Sequence, residues 1–182
     1  MTFPPLTQMG RRICIIGPSN SGKSTLAHIL GAKIGVPAVH LDQIRHIPGT
    51  DWQTRPLEDF LADHARIIAE DGWVIDGNYS AAMADRLDRA TGIIWIDPPL
   101  AGCIWRYLKR CFAGPEKRYG RLDNATREFS FDLIHYTLTR YPKNCEKYRT
   151  HIAAHPDLPF ISVKSMKELN RLYNHWRLKR PL

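Results

Sequence analysis

No stretch of these 182 residues approaches the about twenty consecutive apolar positions of a membrane-spanning helix, and the Pro-containing residues 1–10 carry no hydrophobic leader segment. Cysteine is scarce and scattered. Cys14, Cys103, Cys111 and Cys145 include no Cys-x-x-Cys pair, which argues against a disulfide scaffold or a zinc ribbon and predicts reduced thiols in a cytoplasmic protein. Internal repeats and low-complexity tracts are absent. So are an Asn-Lys-x-Asp base-specificity motif and a Leu-Ser-Gly-Gly-Gln signature, which argues against a GTPase and an ABC-type ATPase. What remains is a chain of one-domain length, 1–182, long enough for a single sizeable core.

The net charge of +8 is unevenly spread. Residues 1–105 hold 9 Lys and Arg against 11 Asp and Glu, whereas residues 106–182 hold 17 against 7. A basic half of this kind serves either nucleic-acid binding or the cationic clamps that phosphoryl transfer needs.

One octapeptide favours the second. Gly17, Pro18, Ser19, Asn20, Ser21, Gly22, Lys23 and Ser24 fit the phosphate-loop pattern Gly-x-x-x-x-Gly-Lys-[Ser/Thr] without a departure. The glycines let backbone amides wrap an oxyanion, Lys23 reaches the β- and γ-phosphates, and the Ser24 hydroxyl can ligate Mg²⁺. The context agrees. Residues 12–16 form an apolar, β-branched run of the kind found in a buried parallel strand, and Leu26, Ile29, Leu30 and Ile34 recur at helical spacing up to Gly35. Strand, glycine loop and helix therefore follow in the required order, and Thr25 continues the loop into the positive end of the helix dipole.

Along the rest of the chain, strands are predicted at 36–42, 72–77, 92–97 and 160–163, and helices at 57–70, 81–89, 100–112, 125–141, 143–154 and 165–178. Pro142 is expected to separate two of the helices. The alternation implies an α/β fold, a five-stranded parallel sheet with helices on both faces. Ligands bind such sheets beyond the carboxyl ends of the strands, where the phosphate loop, Asp42, Asp76 and Asp97 all fall.

Asp76 ends an apolar strand and is the best candidate for the Mg²⁺ carboxylate, against the alternative of a turn cap. Asp42 either positions an acceptor hydroxyl as general base or caps the stretch after it. Asp97, before two prolines, reads as structural. Arg106 and Arg110, one helical turn apart, either clamp the transferring phosphoryl or belong to a solvated basic face with Lys109. Lys117, Arg118, Arg121 and Arg127 suit a basic lid over about 112–130. Arg45, Arg55 and Arg86 are weaker candidates for holding an anionic acceptor. His40 reads as a satisfied strand histidine, Trp73, Trp95, Trp105 and Tyr107 as core, and Trp52 as a loop residue able to face a substrate.

Several segments share a family pattern. His40-Leu41-Asp42, Pro48-Gly49 with Trp52, Trp73-Val74-Ile75-Asp76-Gly77-Asn78-Tyr79-Ser80, Ile96-Asp97-Pro98-Pro99 and the Arg106/Arg110 pair occur in that order. Together they resemble the adenylate-kinase-like family of DNA topology modulation proteins over about residues 11–170. The wider group is the small P-loop kinases, among them adenylate, shikimate and gluconate kinases. The resemblance implies a three-layer P-loop fold with a core over about 11–105 and 155–178 and a helical lid. It also implies ATP as donor and Mg²⁺ as cofactor. Gly17 to Thr25 would bind the triphosphate, Asp76 would face the metal, and Arg106 and Arg110 would be lid arginines. Adenylate kinases carry Asp-Gly-Phe-Pro-Arg where this chain has Asp76-Gly77-Asn78-Tyr79-Ser80, and no cysteine-rich lid is present, so the acceptor stays open.

Two classes follow. One is an ATP-dependent kinase of a small nucleotide or hydroxyl compound, with Lys23, Arg106 and Arg110 on the phosphoryl group, Ser24 and Asp76 on Mg²⁺, and Asp42 on the acceptor. The other is an NTP-binding regulator that contacts DNA through its basic C-terminal half.

Overall fold

The computed structural model describes residues 3–50, 52–112, 119 and 131–179. Its centre is strand β1 (Arg12–Ile16), which pairs in parallel with β3 (Trp73–Asp76) on one side and β4 (Gly92–Ile96) on the other. Strand β2 (Ala38–His40) lies outside β3, and β5 (Phe160–Val163) outside β4. The order is β2-β3-β1-β4-β5, all parallel, as the alternating pattern predicts.

Period-two alternation divides β1 between two cores. Ile13 and Ile15 face one apolar layer with Leu26 and Leu30 of helix α1 (Lys23–Ile34) and Leu169 and Leu172 of the closing helix, here α8 (Met166–His175). Cys14 and Ile16 face the other layer, with Phe60 of α3 (Leu57–Ala69), Leu87 of α4 (Met83–Arg89) and Tyr148 of α7 (Tyr141–Ala153). Each fully buried aliphatic side chain contributes about 2 kcal/mol by leaving water. Helix α3 carries Glu58 and Asp59 in its first turn and Arg66 in its last, matching the helix dipole. Ser165 caps α8 by accepting from Glu168 N–H at 3.1 Å.

Several boundaries differ from the sequence reading. The predicted strand over 36–42 is only three residues long, because Val36 N–H closes the end of α1 on Gly31 O and buried Leu41 opens a short helix, α2 (Leu41–Arg45). Asp42 therefore sits in the first turn of α2, two residues beyond the strand. Pro142 does not separate two helices. The chain passes from α6 (Phe131–His135) through a wide π turn, Tyr136–Arg140, into α7, and Tyr141 N–H bonds Tyr136 O. The wider turn leaves room for the proline ring, which lacks an N–H and would clash in a tight one. Trp105 of α5 (Leu100–Phe112) is 59% exposed rather than core, because the buried residues of that helix, Cys103 and Tyr107, lie on the opposite side.

The expected lid over 112–130 lies outside the described residues except for Phe112 and Tyr119, whose ring stacks on His28 of α1 at 3.8 Å. The part of the predicted helix over 125–130 lies outside them too. Among the described residues, no helix is long and apolar enough to cross a membrane.

Candidate functional site

The carboxyl ends of β1, β2 and β3 lie side by side at one edge of the sheet, where the sheet order diverges around β1 and ligands of such folds bind. Gly17 follows β1 with φ 150°, and a Cβ there would lie 2.1 Å from Ile96 O, so no other residue fits. The loop then turns through Asn20, itself left-handed at φ 60°, and enters α1 at Lys23. First-turn amides of a helix have no carbonyl partner within it, so those of Lys23, Ser24 and Thr25 remain as donors at the loop. Pro18, Ser19, Ser21 and Gly22 make up the rest of the segment between β1 and α1.

Lys23 Nζ donates to Pro18 O at 2.8 Å. Burial pushes its pKa down, opposed by the carboxylates of Asp76 and then Asp42. Both acids therefore act on the same ammonium. Ser24 Oγ donates to Asp76 Oδ2 at 2.7 Å, while Asp76 Oδ1 meets His40 Nδ1. Asp76 is 5% exposed and His40 9%, so this chain of Ser24, Asp76 and His40 is largely shielded from water. Ser24 and Asp76 fit Mg²⁺ well: two adjacent oxygen donors are a usual protein share for an ion that keeps water and phosphate ligands.

On the α2 side of this group, Tyr79 Oη donates to Asp42 Oδ1 at 2.7 Å, and its ring packs on Phe60 with centroids 5.2 Å apart. Burial raises the Tyr79 pKa, and the Asp42 carboxylate raises it further, with Arg45 opposing. The phenol thus stays a donor to Asp42. Arg45 lies over the Phe60 ring at 5.9 Å. Asp42, Arg45 and Tyr79 form a polar wall backed by an aromatic ring.

Of the two arginines expected to clamp phosphate, Arg106 reaches the loop, its Nε donating to Asn20 O at 2.9 Å. Arg110 lies one turn farther along α5, its guanidinium 5.4 Å from the centre of the Tyr107 ring. Two weaker candidates are occupied elsewhere. Arg55 binds Ile44 O and the Asp63 carboxylate. Arg86 is fully buried and donates to Gly77 O at 3.1 Å and Asn78 O at 3.4 Å, so it is a scaffold residue. Trp52 is 44% exposed, edge-on to His46. Asp97 is structural, as read: it accepts from Tyr141 Oη at 3.0 Å and from Lys164 Nζ at 3.2 Å. His151 and His155 have the spacing of a ligand pair, but His155 Nδ1 lies 2.8 Å from His151 O and its Nε2 2.8 Å from Asp88.

Sequence reasoning assigned no role to Asn78 and Tyr79, and it took His40 as a satisfied strand histidine without naming its partner, Asp76. Only the Asp-Gly-Asn-Tyr-Ser motif pointed to that stretch, and it named no partner for the side chains.

No family model and no curated protein matches the chain. Solved structures do. Shikimate kinase from Acinetobacter baumannii in complex with shikimate is similar with a TM-score of 0.58 at 12% identity, over 93% of this chain and 96% of that one. A gluconokinase from Sinorhizobium meliloti 1021 gives 0.56 at 13% identity over 93% and 90%. Shikimate kinase from Bacteroides thetaiotaomicron gives 0.53 at 16% identity over 92% and 99%. The fold is that of the small P-loop kinases.

Proposed function

We propose that this chain is a phosphotransferase that moves the γ-phosphoryl of ATP to the hydroxyl of a small, anionic acceptor. The observation that carries this reading is the Ser24–Asp76 contact beside half-buried Lys23, with Asp42 close enough to act on the same ammonium. A regulator that only holds a nucleotide needs the first three groups. A second carboxylate held by a tyrosine opposite them suits an acceptor hydroxyl, which must lose a proton as it attacks.

In this reading, amides of the loop and of the first turn of α1 bind the β- and γ-phosphates, and Lys23 neutralises charge on the transferring group. Ser24 and Asp76 would hold Mg²⁺, which supplies charge neutralisation at the phosphates. Arg106 steadies the loop through Asn20 O and, with Arg110, lies on the helix leading to the lid. Asp42 orients the acceptor hydroxyl and takes its proton, while Tyr79 fixes the carboxylate in place. Arg45 supplies the charge for an anionic group on the acceptor. The shikimate kinase and gluconokinase folds support this choice, since their names denote hydroxy-acid acceptors. The Asp-Gly-Asn-Tyr-Ser segment supports grouping with the DNA topology modulation-type members.

The test is ADP release from MgATP across a panel of hydroxy acids, sugars and nucleoside monophosphates. At least one hydroxy compound is expected to stimulate release, and Lys23→Ala to abolish it. If no compound stimulates release and the chain binds no ATP by calorimetry, the proposal fails.

A further inference from the structure

The hydrogen-bonded ladder between β1 and β3 ends at Gly77, whose N–H donates to Ile15 O at 3.2 Å. Beyond it the β3 chain turns away toward Asp42, with Gly77 at φ 132° against Leu41. Gly17 thus lacks a backbone partner on that side. The Asn78 carboxamide takes the place of one. Gly17 N–H donates to Asn78 Oδ1 at 3.0 Å, and Asn78 Nδ2 donates to Gly17 O at 2.9 Å. The side chain acts as a surrogate peptide group and adds a rung where the main chain has left the sheet.

Few residues can do this. The pairing needs a planar donor and acceptor one methylene from the backbone; aspartate has no donor, and leucine has neither group. The segment is anchored from behind, because buried Arg86 donates to Gly77 O and Asn78 O. On its other side Gly17 packs against Ile96 O. The first residue of the phosphate loop is held between the two.

We propose that Asn78 is a positioning residue that presets the phosphate loop for nucleotide by clamping Gly17, touching no substrate itself. This rests on reading 17–25 as the ATP site. A loop held before binding loses less conformational freedom when it closes on phosphate, and that raises affinity.

The test titrates MgATP into the full chain by calorimetry and follows exchange of the Gly17 amide by NMR without ligand. Asn78→Ala is expected to weaken ATP binding about tenfold, the scale of one or two lost hydrogen bonds, and to speed Gly17 exchange. Asn78→Asp, nearly the same shape, is expected to lose at least as much, since its second oxygen faces Gly17 O; it also serves if the alanine variant does not fold. Thr91→Ala is the structural control. It removes a comparable set of bonds, to Met9 O and with Arg12, at the opposite end of β1, and should lower the melting temperature while leaving ATP affinity unchanged. Affinity retained within twofold in both Asn78 variants, while the native chain binds ATP, overturns the inference alone. An equal loss in Thr91→Ala also overturns it, because the effect is then general destabilisation. Failure of the native chain to bind ATP overturns the ATP reading and this inference with it.

Discussion

The two walls of the candidate site are built from different material. The phosphate-loop wall is mostly backbone: one continuous segment supplies amides, Lys23 and Asp76 add charge at its base, and Ser24 adds a hydroxyl. The opposite wall is made of side chains gathered from separate segments, with Asp42 and Arg45 on α2, Phe60 on α3 and Tyr79 after β3. Backbone amides recognise any phosphate, because each residue offers the same donor. Side chains can be exchanged without disturbing the sheet, so under the proposed function this wall is where an acceptor would be chosen.

The contrast can be broken at either wall. The largest effect is expected from Lys23→Ala or Asp76→Ala, each lowering MgATP turnover at least about a thousandfold in a coupled ADP assay. Asp42→Asn should lower kcat about a hundredfold or more while the calorimetric affinity for ATP stays within twofold. A large change in that affinity would show that the walls do not act separately.

His64 tests the packing behind the acceptor wall. Burial, and then the Arg86 guanidinium, push its pKa down to about 4 from 6.5. The folded state keeps His64 neutral, whereas the unfolded chain takes up the proton below pH 6.5. Its contribution to stability is therefore full above about pH 6.5 and is lost as the pH falls toward 4, by on the order of 3 kcal/mol. Urea midpoints measured across that window should fall less steeply in His64→Gln; equal slopes would remove His64 as the cause. The smallest effect is expected from Tyr79→Phe. Losing the bond to Asp42 should cost about 1 kcal/mol and raise the acceptor KM severalfold, with ATP affinity unmoved.

The legibility of the site follows the same division. Gly17 to Thr25 could be placed between a strand and a helix because that pattern depends on contiguous residues, and Asp76 at a strand end because it closes an apolar run. Cys14 as a buried strand residue and Asp97 as a structural acid also agree with the coordinates. Arg86 and Trp105 were harder. By sequence Arg86 is a weaker candidate for holding an anionic acceptor, yet it is fully buried and donates to Gly77 O and Asn78 O. Trp105 reads as core by its type, and only the rotation of α5 turns it outward. Pro142 reads as a break because the pattern contains no sign of the π turn that accommodates it.

Local sequence determined the strands, the phosphate loop and the sheet class, because these depend on residues close together along the chain. Tertiary structure decided which distant groups meet. The pairing of Asn78 with Gly17 spans 61 positions, that of Ser24 with Asp76 spans 52, and that of Tyr79 with Asp42 spans 37. Each depends on β3 lying beside β1 and β2. No local pattern encodes such a contact; it exists only once the buried strands have paired and the chain has left the sheet at Gly77.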